Sequence, residues 1–312
     1  MGGKCMIQIK GLTKCFGETK ALSGISLDIS DGSVFGLVGS NGAGKSTLLR
    51  VLSGIYQADG GSALIDGEAP FENIKIKDRL AFVSDFPYFY PGATLDSMAR
   101  YYKEAYSQWD DFRYSNLKSV FPLIASQKIS SMSKGMQRQA AIILALSHAP
   151  KYIFFDEIFD GLDPVIRELV KKILIEYISV TKATVVIASH NLRELEGFCD
   201  HIGLLHMGGV LLEKDIDSEA AGIFRAQFVM EPADFEEIRN RLRIVNEVHQ
   251  GKMIQLTVKG EEEEIRRVIE SKSPAFFEAL PLTLEELFIS EMEGAGYEIN
   301  KLFSLGQFFR RI

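Results

Sequence analysis

Cysteine is almost absent from this chain. Cys5, Cys15 and Cys199 are three in 312 residues, odd in number and scattered, with none of the paired spacings of a metal site. Reduced thiols without a role, in a cytosolic chain, are therefore expected. Long apolar runs are missing too. The longest, Ala140 to Leu146 and Ala183 to Ala188, have the length of buried elements and fall far short of the about 18 residues that a membrane-spanning helix needs, so no crossing of a bilayer is expected. The opening Met1-Gly2-Gly3-Lys4-Cys5-Met6 runs straight into an alternating segment, without the apolar region and cleavage site of a secretory signal. Nor is there a surplus of basic charge. The formal net charge is −7 with Lys and Arg dispersed, which argues against nucleic acid as the main partner.

What is present is ordinary in bulk and specific in detail. Hydrophobic residues make up 46% and charged residues 25%, and 312 residues suffice for one large domain plus a small one. The most informative run is Gly39-Ser40-Asn41-Gly42-Ala43-Gly44-Lys45-Ser46, the pattern G-x-x-x-x-G-K-[ST]. It lies between the apolar stretch Ser33 to Val38 and the segment Thr47 to Leu52. That is the strand-loop-helix setting in which this pattern cradles phosphate. Its glycines let the backbone curl so that the N–H groups from Gly39 to Thr47 turn inward, and the following helix adds its positive end. Lys45 then reaches toward the β and γ phosphates of a nucleotide, and Ser46 offers a hydroxyl to Mg²⁺, a hard ion that prefers oxygen. The competing reading, a flexible surface turn, does not account for the flanks.

Residues 1 to about 33 alternate apolar and polar, with turn signals at Phe16-Gly17-Glu18 and Ser30-Asp31-Gly32, and read as antiparallel β-structure. Residues 86 to 131 change character: aromatics crowd Phe86-Pro87-Tyr88-Phe89-Tyr90, and Asp96 to Ser119 is helical in spacing. Beyond Ala140 helix and strand alternate, and Tyr152-Ile153-Phe154-Phe155 and Thr184 to Ala188 look like central parallel strands buried on both faces. After Glu213-Lys214-Asp215 two similar units follow, Ile223 to Met230 with a helix near Ala233 to Arg243, then Met253 to Val258 with a helix near Glu262 to Ser271, which suggests a small βαββαβ domain. The four acids Glu261 to Glu264 suit the solvated first turn of that second helix.

A second nucleotide element stands where the run Tyr152 to Phe155 ends in Asp156-Glu157. A carboxylate at a strand tip beside a phosphate loop holds the Mg²⁺ water shell, and its neighbour orients or deprotonates an attacking water. Between the two elements, Met132-Ser133-Lys134-Gly135-Met136-Gln137-Arg138-Gln139 resembles the signature of the ATP-binding cassette ATPases, usually written L-S-G-G-Q, with Ser133 and Gly135 in place and Lys134 and Met136 departing from it. Phe159-Asp160-Gly161-Leu162-Asp163-Pro164 looks like the D-loop of that family, Ser189-His190 like its switch histidine, and Phe16 like the aromatic that stacks on adenine. These elements, in the family's order, cover residues 7 to about 215. Each also has a plainer reading: Phe16 as core, Ser133 and Gly135 as an N-cap and a turn, and His190 as a satisfied histidine at a strand end. His148, His201, His206 and His249 have no such context and are taken as structural.

The resemblance implies an α/β fold: a P-loop NTPase cassette with an antiparallel β subdomain and an inserted helical subdomain, plus a small α+β C-terminal domain. The expected boundaries are 1–218 for the ATPase domain, with the helical subdomain at about 86–135, then 219–293 for the C-terminal domain and 294–312 for a tail. It implies an ATP- and Mg²⁺-dependent hydrolase working as a dimer of cassettes. Lys45, Ser46 and the loop amides would hold the phosphates, Asp156 and Asp85 with Ser46 the metal, Glu157 would be the base, and His190 would stabilise charge. Ser133 and Gly135, with Asp163 of the D-loop, would meet nucleotide across the dimer. Asp85 is a departure, because the family usually places a glutamine there. Ile158, in place of a usual proline, is a smaller one.

With no span of its own, such a subunit would work with separate transmembrane subunits docking near Asp85 to Pro91, peripheral on the inner face of the membrane. The D-loop, the Asn191 to Glu196 stretch and Leu282-Thr283-Leu284-Glu285-Glu286-Leu287-Phe288 look most like bacterial exporter ATPases serving peptide antibiotics, lipids or small metabolites. The alternative is a soluble cassette protein acting outside membranes, but the tandem cassettes or long coiled coils of those proteins are not found. The tail residues Ile299, Leu302, Phe303 and Phe309 share a helical face beside basic residues, and suit either packing on the chain's own C-terminal domain or contact with a membrane surface or partner.

Overall fold

The computed structural model describes residues 5–215 and 223–280. The chain divides into two compact units, Met1–Asp215 and Ile216–Ile312. The segment Leu282 to Phe288 and the tail 294–312 lie outside the described residues.

In chain order the first unit carries β1 (Cys5–Phe16), β2 (Thr19–Ser30), β3 (Val34–Val38), α1 (Lys45–Leu52), β4 (Gly60–Ile65), α2 (Ile74–Asp78) and β5 (Leu80–Val83). Then come α3 (Leu95–Ala105), α4 (Asp111–Val120), a 3₁₀ turn at Ile129–Ser131, α5 (Lys134–Ser147) and β6 (Tyr152–Asp156). The unit closes with α6 (Pro164–Thr181), β7 (Thr184–Ser189), α7 (Leu192–Leu195), β8 (His201–His206) and β9 (Gly209–Asp215).

The alternation of the first thirty residues becomes an antiparallel sheet in the order β2-β1-β4, with Ile7 opposite both Ile29 and Ile65. Ile25, Leu27 and Ile29 of β2 are buried, since a period of two puts every second side chain on the core face, and a register shift against β1 returns Leu22 to that face. The continuous apolar runs behave differently. β3, β6 and β7 are buried along their whole length, at the centre of a six-stranded sheet ordered β5-β6-β7-β3-β8-β9. All its pairs are parallel except β8 with β9, and strands covered on both faces have no polar side to alternate with. Ile7, Ile9 and Leu27 of the small sheet share one core with Phe35 and Leu37 of β3 and Leu48, Leu49 and Leu52 of α1. That core clamps the loop between β3 and α1 at the carboxyl end of the large sheet, where open α/β sheets place their ligands.

The stretch Asp96 to Ser119 forms two helices. Tyr106 ends α3 in extended backbone, the Asp78 carboxylate accepts hydrogen bonds from the Ser107 N–H and hydroxyl, and Asp110 caps α4 by accepting from the Arg113 N–H at 3.0 Å.

The second unit is a βαββαβ fold: β10 (Ile223–Val229), α8 (Pro232–Arg239), β11 (Ile244–Gln250), β12 (Met253–Lys259), α9 (Glu262–Glu270) and β13 (Phe276–Leu280). The sheet order is β11-β12-β10-β13, antiparallel throughout. Phe224, Ala226 and Phe228 of β10 and Ile254, Leu256 and Val258 of β12 pack with Phe235 and Ile238 of α8 and Ile265 and Ile269 of α9. Glu262, Glu263 and Glu264 occupy the first turn of α9, where negative charge meets the positive helix end.

Candidate functional site

Residues Gly39 to Ser46 turn from the tip of β3 into α1, and two features make this turn a nest. Gly44 has φ +105°, and a Cβ there would stand 2.6 Å from the Ala21 carbonyl oxygen, so only glycine fits. No side chain caps the N-terminus of α1, which leaves its first N–H groups to an outside acceptor. The loop is braced by N–H donors from Ala43 to the Ser40 carbonyl and from Gly208 to the Ala43 carbonyl, both at 3.1 Å. Lys45 is buried and folds over the loop. Its Nζ donates to the Gly39 carbonyl at 2.7 Å and the Ser40 carbonyl at 3.3 Å, and lies 3.5 Å from Glu157 Oε1.

β6 and β7 deliver the remaining groups from their carboxyl ends. Ser46 Oγ donates to Asp156 Oδ1 at 2.9 Å, while the buried Asp156 Oδ2 has no partner. Burial pushes the Asp156 carboxyl above the ordinary carboxylate range, and the charges of Glu157 and Asp85 add to that. Glu157, the next residue, has φ +52°, a left-handed conformation unusual for a residue with a side chain. Its N–H donates to the Ala188 carbonyl at 2.9 Å, which pins the turn to β7. The Glu157 carboxylate lies 2.8 Å from His190 Nδ1 and accepts from the His190 N–H at 3.3 Å. Beside a carboxylate Nδ1 carries the proton, so Nε2 of the neutral ring is an acceptor and becomes a donor only in the imidazolium.

Lys45, Ser46, Asp156, Glu157 and His190, from three separate stretches of the sequence, therefore meet in one cluster. Among the expected residues outside the phosphate-binding turn, each has its own surroundings. Phe16 ends β1 half-exposed, edge-on to Tyr56 at 5.3 Å. Ser133 caps α5 by accepting from the Met136 N–H at 3.2 Å, and a Cβ on Gly135 would stand 2.8 Å from the Gly161 carbonyl oxygen. Asp163 caps α6 by accepting from the N–H groups of Val165 and Ile166 at 3.0 Å. Asp85, expected among the metal-binding oxygens, pairs its carboxylate with the guanidinium of Arg138, and its charge helps to raise the Asp156 carboxyl.

Two supporting groups gave no sequence signal. Arg138 stands among Lys134, Gln137 and Gln139 in the first turns of α5, and only the fold shows which acids it meets. Glu194 is buried, accepts from the Ser189 hydroxyl at 3.1 Å and pairs with Arg167 at 3.4 Å, which fastens the end of β7, next to His190, to α6.

The family described as ABC transporter matches residues 22–160. The ATP-binding protein YtrB of Bacillus subtilis is 27% identical over 93% of this chain and 99% of its own length. The linearmycin resistance ATP-binding protein LnrL of Bacillus subtilis is 30% identical, covering 66% of this chain and 68% of that protein. The bacitracin transport ATP-binding protein BcrA of Bacillus licheniformis is 29% identical over 68% of this chain and 70% of its own. Among solved structures, an ATP-binding subunit of an ABC transporter superposes with a TM-score of 0.63 at 26% identity, over 68% of this chain and 90% of its own. With a phosphate loop, a strand-tip acid pair and a facing histidine on the matching fold, the chain belongs to the ATP-binding proteins of the ABC transporters.

Proposed function

We propose that this chain hydrolyses ATP for a membrane exporter, pairing with a second cassette and driving separate transmembrane subunits from the inner face of the membrane. The observation that carries the reading is the cluster Lys45, Ser46, Asp156, Glu157 and His190 around one phosphate-binding turn. The relatives named for bacitracin transport and linearmycin resistance support the exporter direction, and a bacterial cassette solved as a dimer supports the pairing, at 24% identity and a TM-score of 0.60 over 68% of this chain and 100% of that one.

The uncapped amides of α1 and the Lys45 ammonium bind the polyphosphate, with Lys45 exchanging the Gly39 and Ser40 carbonyls for phosphate oxygens. A magnesium ion fits Ser46 Oγ and Asp156, whose partnerless buried Oδ2 and raised pKa mark a site short of positive charge; when bound it offsets the charge on the phosphates. Glu157 takes the proton of the attacking water, a role that contributes about 10²–10⁴-fold. The strained turn at Glu157 fixes that carboxylate between Lys45 and His190. His190 holds Glu157 through Nδ1, and its ring stabilises developing negative charge. Phe16, with Tyr56 at its edge, stacks on the base. Ser133 and Gly135 of one cassette, with Asp163, close over the nucleotide of the other.

The test is ATP turnover and membrane association of the full chain in its own cells. Turnover that Lys45→Ala abolishes, in a chain that sediments with a polytopic membrane protein, is the expected result. A chain that hydrolyses ATP but never sediments with membranes contradicts the transporter placement.

A further inference from the structure

The side chain of Arg138 is 5% exposed, yet it meets two acids from two different loops. Its Nη2 pairs with the Asp85 carboxylate and donates to the Asp85 carbonyl at 3.1 Å, while Nη1 lies 3.6 Å from Asp160 Oδ2. Asp85 follows β5, and Asp160 stands three residues beyond Glu157. The same end of α5 grips both loops a second time. A Cβ on Gly161 would lie 3.2 Å from Arg138 Nη1, one on Gly135 would lie 2.8 Å from the Gly161 carbonyl, and the Lys134 ammonium lies 5.8 Å from the centre of the Phe86 ring. Asp85, Phe86, Lys134, Arg138 and Asp160 line an open cleft of about 280 Å³ between these segments.

A buried guanidinium that loses one carboxylate keeps an uncompensated charge, so each acid raises the cost of moving the other. We infer that Asp85 is a positioning residue: through Arg138 it holds the Phe159–Leu162 turn, and with it Glu157, so that the loop after β5 and the catalytic turn move together. The inference deepens the ATPase reading given above and rests on it for its kinetic part. It explains why an acid stands at Asp85, since an uncharged side chain would leave Arg138 with Asp160 alone, whose side chain is 61% exposed and screened by water.

The experiment is hydrogen exchange on the nucleotide-free full chain, wild type against Asp85→Ala, Asp160→Ala and Arg138→Gln. Asp85→Ala is expected to speed exchange at residues 158–163 as well as at 84–90, and Asp160→Ala to do the same in reverse. Gain confined to the mutated loop overturns the inference, whether or not the protein hydrolyses ATP. Where Arg138→Gln fails to fold, the two partly exposed acids still decide. In turnover assays Asp85→Ala should lower kcat about tenfold with KM for ATP and the Mg²⁺ requirement unchanged within about twofold, and combining Asp85→Ala with Asp160→Ala should cost less than the product of the single losses. A raised Mg²⁺ requirement in Asp85→Ala returns that residue to the metal and overturns the assignment. Independent, multiplicative losses overturn it equally. A wild type without turnover refutes the ATPase reading and leaves the exchange result to judge the linkage.

Discussion

Acidification should destabilise the first unit through one imidazole. His148 follows α5, is 1% exposed and lies flat on Tyr106, ring centres 3.9 Å apart. Burial pushes its pKa from 6.5 to about 4, and the Arg113 charge helps, while a backbone contact and the Asp78 charge work the other way. The folded state therefore keeps this ring neutral in a range where the unfolded chain binds a proton. The stability it contributes is complete above pH 6.5 and is lost as the pH falls from 6.5 to about 4. At about 1.4 kcal/mol per pH unit the loss is roughly 3 kcal/mol, a large share of the 5–15 kcal/mol that holds an ordinary domain. Asp66, Asp78 and Asp96, desolvated in part yet held below 3.8 by hydrogen bonds and nearby cations, titrate under this window, whereas Asp156 and Glu213, raised by burial, oppose the loss on acidification and are common to wild type and variant. The assay is urea unfolding at several pH values followed by Trp109 fluorescence. Trp109 is the single tryptophan and lies 5.5 Å from Tyr114 and 6.4 Å from Tyr102, so it reports on this helical region. His148→Phe keeps an aromatic ring and should flatten the curve between pH 6.5 and 4. Parallel curves for wild type and variant refute the reasoning.

Other perturbations address the nucleotide site and its frame. Gly44→Ala adds a Cβ 2.6 Å from a backbone oxygen at φ +105°, and should cost about 1–3 kcal/mol in stability and suppress nucleotide binding, both readable by thermal melts with and without ATP. Phe16→Ala should weaken ATP by on the order of 1–3 kcal/mol in calorimetry, and an unchanged affinity denies it the base. Asp163→Ala removes the α6 cap and should lower stability by about 1 kcal/mol, a drop of about 2–4 °C in Tm for a unit of this size; a larger loss of turnover than of stability would place Asp163 at the nucleotide as well.

The sequence announces the phosphate turn and the central strands because each rests on local patterning. Glycines at fixed offsets, unbroken runs such as Tyr152 to Phe155 and alternation such as Ile7 and Ile9 are imposed by backbone geometry and burial. The break between α3 and α4 was harder to read, since it depends on Asp78, remote in sequence, taking the Ser107 donors. Asp85 shows the limit more sharply. Its pairing with Arg138, 53 residues away on another element, is set by the fold and leaves no mark in the local sequence. The strain at Glu157 left no trace either, because left-handed backbone at an acid follows from the tertiary frame.

The central claim, that Glu157 is the base of an ATP-driven cassette dimer, is tested most directly by ATP turnover and oligomeric state of the full chain, wild type against Glu157→Gln. The account predicts turnover in the wild type, a loss of about 10²–10⁴-fold in the variant, and a dimer in that variant that persists only with ATP bound. Equal turnover in the two proteins, or a variant that stays monomeric while binding ATP as tightly as the wild type, contradicts it.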